Sequence, residues 1–540
     1  MLRDRLALHL AAGAITAVIL APLALPGYVL SYDMNFVPAQ PMRLDLLAPV
    51  DSAPRAVPLD AAISLLNTVV PGWLLQRLIL AAVIWAAVVG AGRLVPTKSL
   101  PIRLIAAIGY GWTPFLAERL LIGQWGLLVA YAAMPWLVMA ALKRNLAYLT
   151  ITAGLCALTP SGGLMAAVVC LALLPWRRWG AVAGILLLVN SPWLVAAAIS
   201  DATARSDPAG VAAFAARAEN WAGATVALLG TGGIWNQETT PASRSSPLIP
   251  FLTLGLLVLA IGGYQLLRAR MPSRFPAIAL AGLAVAALST FHFGATAVAW
   301  LVENLPGAGL LRDSQKFALP YALLLVLCVA LGAERLADKL PAEPGRALLV
   351  GVMVLIVGGL PDLAFGGAGA LKPVRYPADW EAAAQLVRAD PGQVLSLPLS
   401  EYRTYSWNRD RTVLDPAPRY FSAPVLADDT LVVGDQVIAG ENPRLPEIRA
   451  RLASGEPVAS GAIRWVLVQY RGDISEAVRP EHLRGLELIF AGPHLALYSN
   501  LAAAAPEPDR RRHFPVIAAE IAAILTMIVA AAAIAVSARR

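Results

Sequence analysis

The sequence predicts a polytopic α-helical membrane protein, with about 12 transmembrane helices and a small α/β extracytoplasmic domain. Two observations support this fold class. Of the 540 residues, 58% are hydrophobic and only 14% are charged, whereas a soluble globular protein carries about 25% charged residues. Apolar stretches also recur along the chain, several of them near the length of about 20 residues that crosses a bilayer.

Twelve apolar stretches are predicted to span the membrane. In chain order they cover 8–30, 73–92, 102–118, 125–142, 146–159, 162–175, 181–199, 249–267, 275–292, 316–334, 346–362 and 515–537. The first is longer than the apolar part of a secretory signal and many spans follow it, so we expect a retained helix.

Basic residues concentrate in alternate loops between these stretches, from Arg3 and Arg5 at one end to Arg539 and Arg540 at the other. Membrane proteins place Lys and Arg in their cytoplasmic loops. The pattern predicts a multi-pass membrane protein with both termini in the cytoplasm. It also accounts for the net charge of +8 without a nucleic-acid partner.

Three regions on the opposite face, 31–72, 200–248 and 363–513, are too long to be turns. We therefore divide the chain into a transmembrane module over 1–362, an extracytoplasmic α/β domain over 363–513 and a C-terminal transmembrane helix over 514–540.

Hydrophobic periodicity predicts several elements of the α/β domain. They are helices at 377–389 and 445–453, strands at 393–399 and 465–470, and a hairpin over 486–498. The acids of this domain cannot be ranked from the sequence; they include Glu401, Asp410, Asp415, Asp428 and Asp429.

The leading catalytic candidate is Asp33, because it follows the first span directly. The predicted topology places it at the outer surface of the membrane. A carboxylate near hydrocarbon is partly desolvated, which raises its pKa and makes it a better general base near neutral pH. Asn35, two residues on, could hold a sugar hydroxyl or help to ligate a divalent cation. The alternative is that Asp33 is a solvated loop acid.

Asp45 is the rival of Asp33 in the same loop, and Asp51 and Asp60 rank below it. Asn35 and Asp45 are both predicted to contact the substrate. The sequence contains no clear set of ligands for a metal ion, so it does not identify a metal. A divalent cation is the one cofactor that these loop residues suggest.

Charged residues at the outer ends of two spans form a second group of substrate-binding candidates. Glu118 and Arg119 lie in a short outer turn, and Arg312 and Lys316 lie at the outer end of the tenth span. Charge at membrane depth is costly and usually faces a cavity or a partner. The cations Arg119, Arg312 and Lys316 suit a phosphate. The alternative is structural pairing, for example of Asp313 with Lys316.

Absent motifs exclude several classes of enzyme. The sequence has no Walker A loop, no dinucleotide fingerprint and no Cys/His metal cluster. It also lacks a Gly-x-Ser-x-Gly elbow. The three cysteines, Cys156, Cys170 and Cys328, all fall within apolar stretches, where we expect them to pack as small apolar residues.

Three short segments and the carboxyl-side domain resemble a known superfamily. The segments are Asp33-Met34-Asn35, Pro114–Trp125 and Leu311–Phe317. The resemblance is to the GT-C superfamily of polyprenyl-phosphate-sugar-dependent membrane glycosyltransferases, and within it to arabinofuranosyltransferase-like and YfhO-like proteins of bacterial envelopes. Asn35 stands where the motif of that superfamily has a second acid.

The resemblance implies a reaction and two substrates. The donor would be a polyprenyl-phosphate sugar in the membrane lipid, and the acceptor an envelope glycan or glycolipid held by the outer domain. Asp33 would deprotonate the acceptor hydroxyl, and Arg119, Arg312 and Lys316 would stabilise the departing phosphate.

Two other functions remain open. A transporter of lipid-linked glycan would carry polar residues along the middle of several spans, whereas here they gather at the outer ends. A non-catalytic envelope glycan assembly scaffold would keep the fold without the second acid.

Overall fold

The computed structural model describes residues 2–49, 52–202, 205–459, 461–470, 478–504 and 510–539. Within these ranges eight helices are long and apolar enough to cross a membrane. They are Arg3–Ala24, Gly72–Leu94, Leu100–Leu121, Trp125–Leu142, Trp176–Ile199, Ile249–Arg270, Ser314–Ala337 and Arg511–Arg539. Two bent pairs raise the number to ten if each pair is one span, Arg274–Leu288 with His292–Asn304 and Ala342–Gly358 with Pro361–Ala368.

The two remaining predicted spans are shorter than expected. They form the apolar helices Leu146–Cys156 and Pro160–Leu173, of 11 and 14 residues. At 1.5 Å per residue these are roughly 16 and 21 Å long, less than the roughly 30 Å of a hydrocarbon core. The polytopic helical fold class is confirmed, with eight to ten helices of spanning length and two shorter apolar helices beside them.

The first and third predicted spans differ from the structure at proline residues. The first helix, Leu2–Leu20, passes into a 3₁₀ turn and ends at Ala24 rather than at residue 30. The third span is broken into Leu100–Gly111 and Pro114–Leu121. Proline lacks the N–H that a continuing helix needs and is favoured in the first turn. The Thr113 side chain caps the second piece, which carries Arg119.

Shorter helices fill the long loops and the carboxyl-side region. The α-helices among them are Leu44–Leu47, Leu59–Asn67, Ala209–Ala213, Gly223–Leu229, Ala378–Ala389, Ala417–Tyr420 and Leu445–Ser454. The predicted helices at 377–389 and 445–453 are confirmed.

Among the described residues of 371–504, which we call the sheet domain, nine short strands form the sheets. They are β1 Gln393–Leu397, β2 Tyr402–Thr404, β3 Thr412–Leu414, β4 Val425–Leu426, β5 Leu431–Val433, β6 Gln436–Ile438, β7 Ile463–Gln469, β8 Glu487–Ala491 and β9 Leu495–Ser499. The main sheet has the order β4-β1-β7-β9-β8. Strand β1 is parallel to β4 and β7, whereas β9 is antiparallel to β7 and β8. The predicted strands and hairpin are confirmed.

The loop that follows the first helix is fixed to the sheet domain. Tyr32 exchanges backbone hydrogen bonds with β3, from its N–H to Thr412 O at 2.7 Å and to its carbonyl from the Leu414 N–H at 2.9 Å. The N–H groups of Tyr28 and Val374 likewise bond each other's carbonyls, at 2.7 and 2.9 Å. These bonds hold Asp33 between the helix bundle and β2–β3.

The same loop also packs tightly on the turn that ends the broken third span. The Ser31 hydroxyl donates to Leu121 O at 2.8 Å. Gly123 has a φ of +80°, and a Cβ there would lie 2.1 Å from the Met34 nitrogen. Only glycine fits this close approach. Gly123 therefore allows Asp33 to lie next to Gln124, the residue that follows Gly123 in the chain.

Candidate active site

Asp33 lies half-buried between the bundle and the sheet domain. Its N–H donates to Ile122 O at 3.0 Å, and its carboxylate accepts hydrogen bonds from the Tyr402 hydroxyl and from Gln124. Burial raises the pKa of Asp33, and the hydrogen bonds from Tyr402 and Gln124 oppose that shift without cancelling it. A carboxylate held in this way can accept a proton from a hydroxyl group.

Arg119 is connected to this carboxylate through Gln124, and protein groups occupy all of the nitrogens of its guanidinium group. Its side chain is 0% exposed and holds Asp313 through two bonds, Nη1 to Oδ2 at 2.6 Å and Nη2 to Oδ1 at 2.9 Å. Its Nε donates to Gln315 Oε1 at 3.0 Å, and Nη1 also donates to Gln124. Through Gln124, Arg119 is therefore linked to Asp33.

Replacing Arg119 with Met is expected to destabilise the protein by about 3–5 kcal/mol, because removing one partner leaves a buried charge unpaired. The charge left behind is that of Asp313, whose pKa burial raises but Arg119 holds below its ordinary value. The measurement is the midpoint of thermal unfolding of the purified protein in detergent.

The matched control for this substitution is Arg346→Met. Arg346 pairs with Glu343, but the two side chains are 73% and 81% exposed, so the change is expected to stay within about 0.5 kcal/mol. Equal midpoints for the two variants would contradict the structural role assigned to Arg119.

Lys316 is the cation with free donors in this group. It belongs to the 3₁₀ turn Ser314–Ala318, at the start of the helix Leu319–Ala337. Its side chain is half-buried, and among the described residues it has neither a hydrogen bond nor an ion pair. Its charged neighbours include Asp313, Arg119 and Arg312. A cation so placed is available to an anionic ligand.

Arg312 lies on the side of Lys316 that faces the sheet domain. Its Nη2 is 3.5 Å from Glu441 Oε1. Burial lowers the pKa of Arg312, and the nearby charge of Arg55 lowers it further. Arg55 in turn pairs with Glu441, at 3.1 Å. These residues connect the first loop, the tenth predicted span and the sheet domain.

The structure distinguishes Glu401 from the other acids of the sheet domain. Its Oε1 is 3.6 Å from Arg55 Nη1, while its Oε2 is buried without a hydrogen-bond partner among the described residues. Burial raises the pKa of Glu401 to about 8; Arg55 opposes the shift and the negative charge of Asp33 adds to it. A carboxyl group in this environment is protonated near neutral pH.

Because the pKa of Glu401 is raised, we expect Glu401→Gln to stabilise the folded protein by an amount that depends on pH. The folded protein retains the Glu401 proton up to about pH 8, whereas the unfolded chain loses it at the ordinary carboxyl pKa. The wild type therefore loses stability as pH rises through this window, by several kcal/mol at most. The Gln variant has no carboxyl group at this position and does not lose this stability. Its midpoint of thermal unfolding is therefore expected to rise relative to that of the wild type between pH 5 and 9.

The exposed Glu343 gives the control, because Glu343→Gln is expected to leave the difference in midpoint independent of pH. A constant difference between wild type and Glu401→Gln from pH 5 to 9 would show that Glu401 is ionised throughout.

Four of the predicted site residues fall in one group, which we call the polar centre. Its predicted members are Asp33, Arg119, Arg312 and Lys316. The charges of these residues act on one another through Asp313. The negative charge of Asp313 raises the pKa of Asp33, and the positive charges of Arg119 and Lys316 lower the pKa of Asp313.

Two other predicted residues, Asn35 and Glu118, make contacts with other parts of the protein. The Asn35 amide donates to the carbonyls of Leu414 and Asp415, at 3.1 Å each. Glu118 accepts from the Ile234 N–H at 3.1 Å and from Gln315 Nε2 at 3.3 Å, and it lies against Glu219. Gln315 also contacts Arg119, so Glu118 adjoins the polar centre.

The remaining acids of the first loop form ion pairs of their own. Asp45 is 37% exposed and pairs with Arg43 at 2.8 Å. Asp60 pairs with Arg419 at 3.0 Å. Asp51 lies outside the described residues. Asp33 is thus the described acid of this loop that accepts hydrogen bonds from Tyr402 and Gln124 rather than pairing with an arginine.

The sequence did not indicate that Tyr402 and Glu401 lie near Asp33. Tyr402 lies 369 positions from the carboxylate that it contacts, and no local pattern encodes that pairing. One signal was present, since both residues follow the carboxyl end of β1, which is parallel to its two neighbours. Functional groups gather at the carboxyl ends of parallel strands.

A divalent cation is not favoured by the groups around Asp33. Among the described residues, no three His, Cys, Asp or Glu side chains are grouped so that they could hold a metal ion. Asp33 is instead hydrogen-bonded to Tyr402, and Glu401 lies against Arg55. No step of the chemistry below passes through a metal.

The fold and the polar centre define a class: a multi-pass helical membrane protein with a charged site between its first loop and a carboxyl-side sheet domain. Two solved structures of arabinofuranosyltransferase AftD from Mycobacteria, determined by cryo-electron microscopy, are similar to this chain. The first has a TM-score of 0.58 and the second, of a mutant, has 0.57, each at 18% identity.

Both likenesses cover 93% of this chain, and they cover 40% and 42% of the AftD chains. This chain thus spans about two-fifths of the length of AftD. No protein-family model matches the chain, and no curated protein matches it. The likeness confirms the polytopic helical fold with a small sheet domain that the sequence predicts, a fold that this chain shares with AftD.

Proposed function

We propose that this protein is a membrane glycosyltransferase that moves a sugar from a polyprenyl-phosphate donor to a cell-envelope glycan or glycolipid on the outer face of the membrane. One observation carries the proposal: a half-buried carboxylate with a raised pKa, Asp33, shares a polar centre with Lys316, a cation that has no hydrogen-bond or ion-pair partner among the described residues. A base and a phosphate-binding cation are the two groups that such a transfer requires.

The chemistry divides between these two residues. Asp33 takes the proton of the acceptor hydroxyl as its oxygen attacks the anomeric carbon of the donor sugar. The bond from that carbon to the phosphate oxygen breaks, and the electron pair leaves with the polyprenyl phosphate. Lys316 and Arg312 stabilise the charge that grows on the phosphate, which is where fixed cations lower the barrier most.

Arg119 acts as a positioning residue in this scheme. Its nitrogens are occupied by Asp313, Gln315 and Gln124, so it has no donor left for phosphate. It neutralises Asp313, and this leaves the positive charge of Lys316 available to the ligand.

The position of the basic loops supports an outward-facing site. The helix Trp125–Leu142 begins beside Gln124 and ends at Lys143 and Arg144. Its 18 residues place these cations about 27 Å from the polar centre. Lys and Arg favour the cytoplasmic side, so the polar centre faces away from the cytoplasm. Nucleotide sugars are cytoplasmic, and a lipid-linked donor is the kind that reaches the other face.

The test uses the purified full-length protein with synthetic donors. Polyprenyl-phosphoryl pentose, polyprenyl-phosphoryl hexose and a nucleotide sugar are each incubated with envelope-type oligosaccharide acceptors. We expect release of polyprenyl phosphate and a lengthened acceptor with a lipid-linked donor alone, followed by mass spectrometry. Binding of donor and acceptor without either product would instead favour a non-catalytic assembly scaffold.

A further inference from the structure

A basic cleft lies at the end of the helix bundle opposite the polar centre. It has a volume of about 610 Å³ and is lined by two arginines, Arg144 and Arg274, and two tryptophans, Trp176 and Trp179. Leu171 and Leu173 form part of its apolar wall. None of these residues takes part in the proposed transfer reaction.

Hydrogen bonds between three loops give the cleft a defined frame. The Trp179 indole donates to Leu171 O at 2.8 Å, and the Arg178 guanidinium donates to Arg144 O at 2.9 Å. Arg274 Nη1 donates to Ala172 O at 3.3 Å. Within the described residues, the side chain of Arg144 has no hydrogen bond or ion pair, so its donors are available.

The charge around the cleft is entirely positive in the segments that build it. Lys143, Arg177 and Arg178 adjoin the two lining arginines. The sequence contains no Asp or Glu from residue 119 to 200, or from 239 to 302. Several guanidinium groups without a carboxylate to neutralise them attract an anion, and phosphate oxygens match their fork of donors.

The apolar side of the cleft indicates that the anion belongs to a lipid. Trp176 and Trp179 are 73% and 48% exposed at the ends of apolar helices. Tryptophan in such positions marks the membrane–water boundary, where indole rings lie at the level of the lipid headgroups. Basic pockets between helices at this boundary bind the headgroups of anionic lipids.

We propose that this cleft binds one anionic phospholipid. Arg144 and Arg274 donate to its phosphate, the indoles of Trp176 and Trp179 lie against its glycerol region, and an acyl chain follows Leu171 and Leu173. If these cations served only to set the topology, no cleft would be needed around them. In that case no lipid would bind in a one-to-one ratio with the protein. The site is independent of the proposed transfer reaction.

The test measures lipid retention by native mass spectrometry and thermal unfolding of the full-length protein in neutral detergent. Phosphatidylglycerol is compared with phosphatidylcholine of the same acyl chains. We expect one retained phosphatidylglycerol and a higher midpoint of unfolding with that lipid. Arg144→Gln with Arg274→Gln is expected to weaken binding about tenfold or more, since two charge-assisted hydrogen bonds are lost.

A matched control changes cations at the same end of the bundle but outside the cleft, Lys339→Gln with Arg346→Gln, and is expected to retain the lipid as wild type does. Inorganic phosphate is tested as the second source of the anion. Equal retention of the two lipids, an unchanged double variant at the cleft, or equal stabilisation by inorganic phosphate would each overturn the proposal. The comparison of lipids on wild-type protein stands even if the cleft variant fails to fold.

Discussion

Replacing Asp33 with Asn is expected to lower the rate of sugar transfer by about 10²–10⁴-fold, the range that a general base contributes. Asparagine has nearly the same shape and can still accept the hydrogen bond from Tyr402, so the fold is retained. The measurement is kcat with a lipid-linked donor, with thermal unfolding as the check on folding.

The pH dependence gives a second readout of the same substitution. Burial raises the pKa of Asp33, so the wild-type rate falls as pH drops through that raised pKa and the carboxylate takes up a proton. The residual rate of the Asn variant is expected to lack this limb.

Asp45→Asn is the matched control for Asp33, because Asp45 lies in the same loop but pairs with Arg43 near the surface. Its kcat is expected to stay within about twofold of wild type, as for a surface substitution away from the site. Full activity of the Asp33 variant, or loss of activity in the Asp45 variant, would transfer the role of base to another acid.

Replacing Lys316 with Gln is expected to lower kcat by about 10²–10³-fold, comparable to removing one electrostatic contact to a developing charge. Stability should hold or increase, because a partly buried cation without a protein partner is costly in the folded state. The two measurements are kcat with the lipid-linked donor and the midpoint of thermal unfolding. A structural role would lower both together.

Lys339→Gln removes a lysine from the opposite end of the bundle and is expected to leave kcat unchanged. If Lys316→Gln transfers sugar at the wild-type rate, the phosphate does not bind at Lys316.

The helices were predictable because hydropathy is a local property. The stretch 73–92 corresponds to the helix Gly72–Leu94, and 125–142 to Trp125–Leu142. The break at Trp112 and Thr113 was not predicted, although Pro114 marks it. The sequence stays apolar across this break, so hydropathy alone predicts one span where the structure has two helices.

The roles of the cations required the structure. In the sequence Arg119 and Lys316 look alike, since each is a cation near the outer end of a span with one acid close by, Glu118 for Arg119 and Asp313 for Lys316. The planar guanidinium binds a carboxylate through two bonds, which the ammonium group cannot do. Arg119 therefore takes Asp313 and becomes a structural residue, while Lys316 is left for a ligand.

The contacts of Asp33 with the sheet domain also lay beyond the sequence. Its position after the first span is local information, and that was sufficient to single it out. Its partner Tyr402 comes from a strand far along the chain, brought to it by the pairing of Tyr32 with Thr412 and Leu414. Such long-range pairing has no periodic signature.

A structure of the protein with polyprenyl phosphate bound tests the central claim most directly. The account predicts that the phosphate lies within hydrogen-bond distance of Lys316 Nζ, next to Arg312, and on the side of the polar centre where the Asp33 carboxylate lies. A phosphate bound elsewhere, with the polar centre around Lys316 empty, would contradict it.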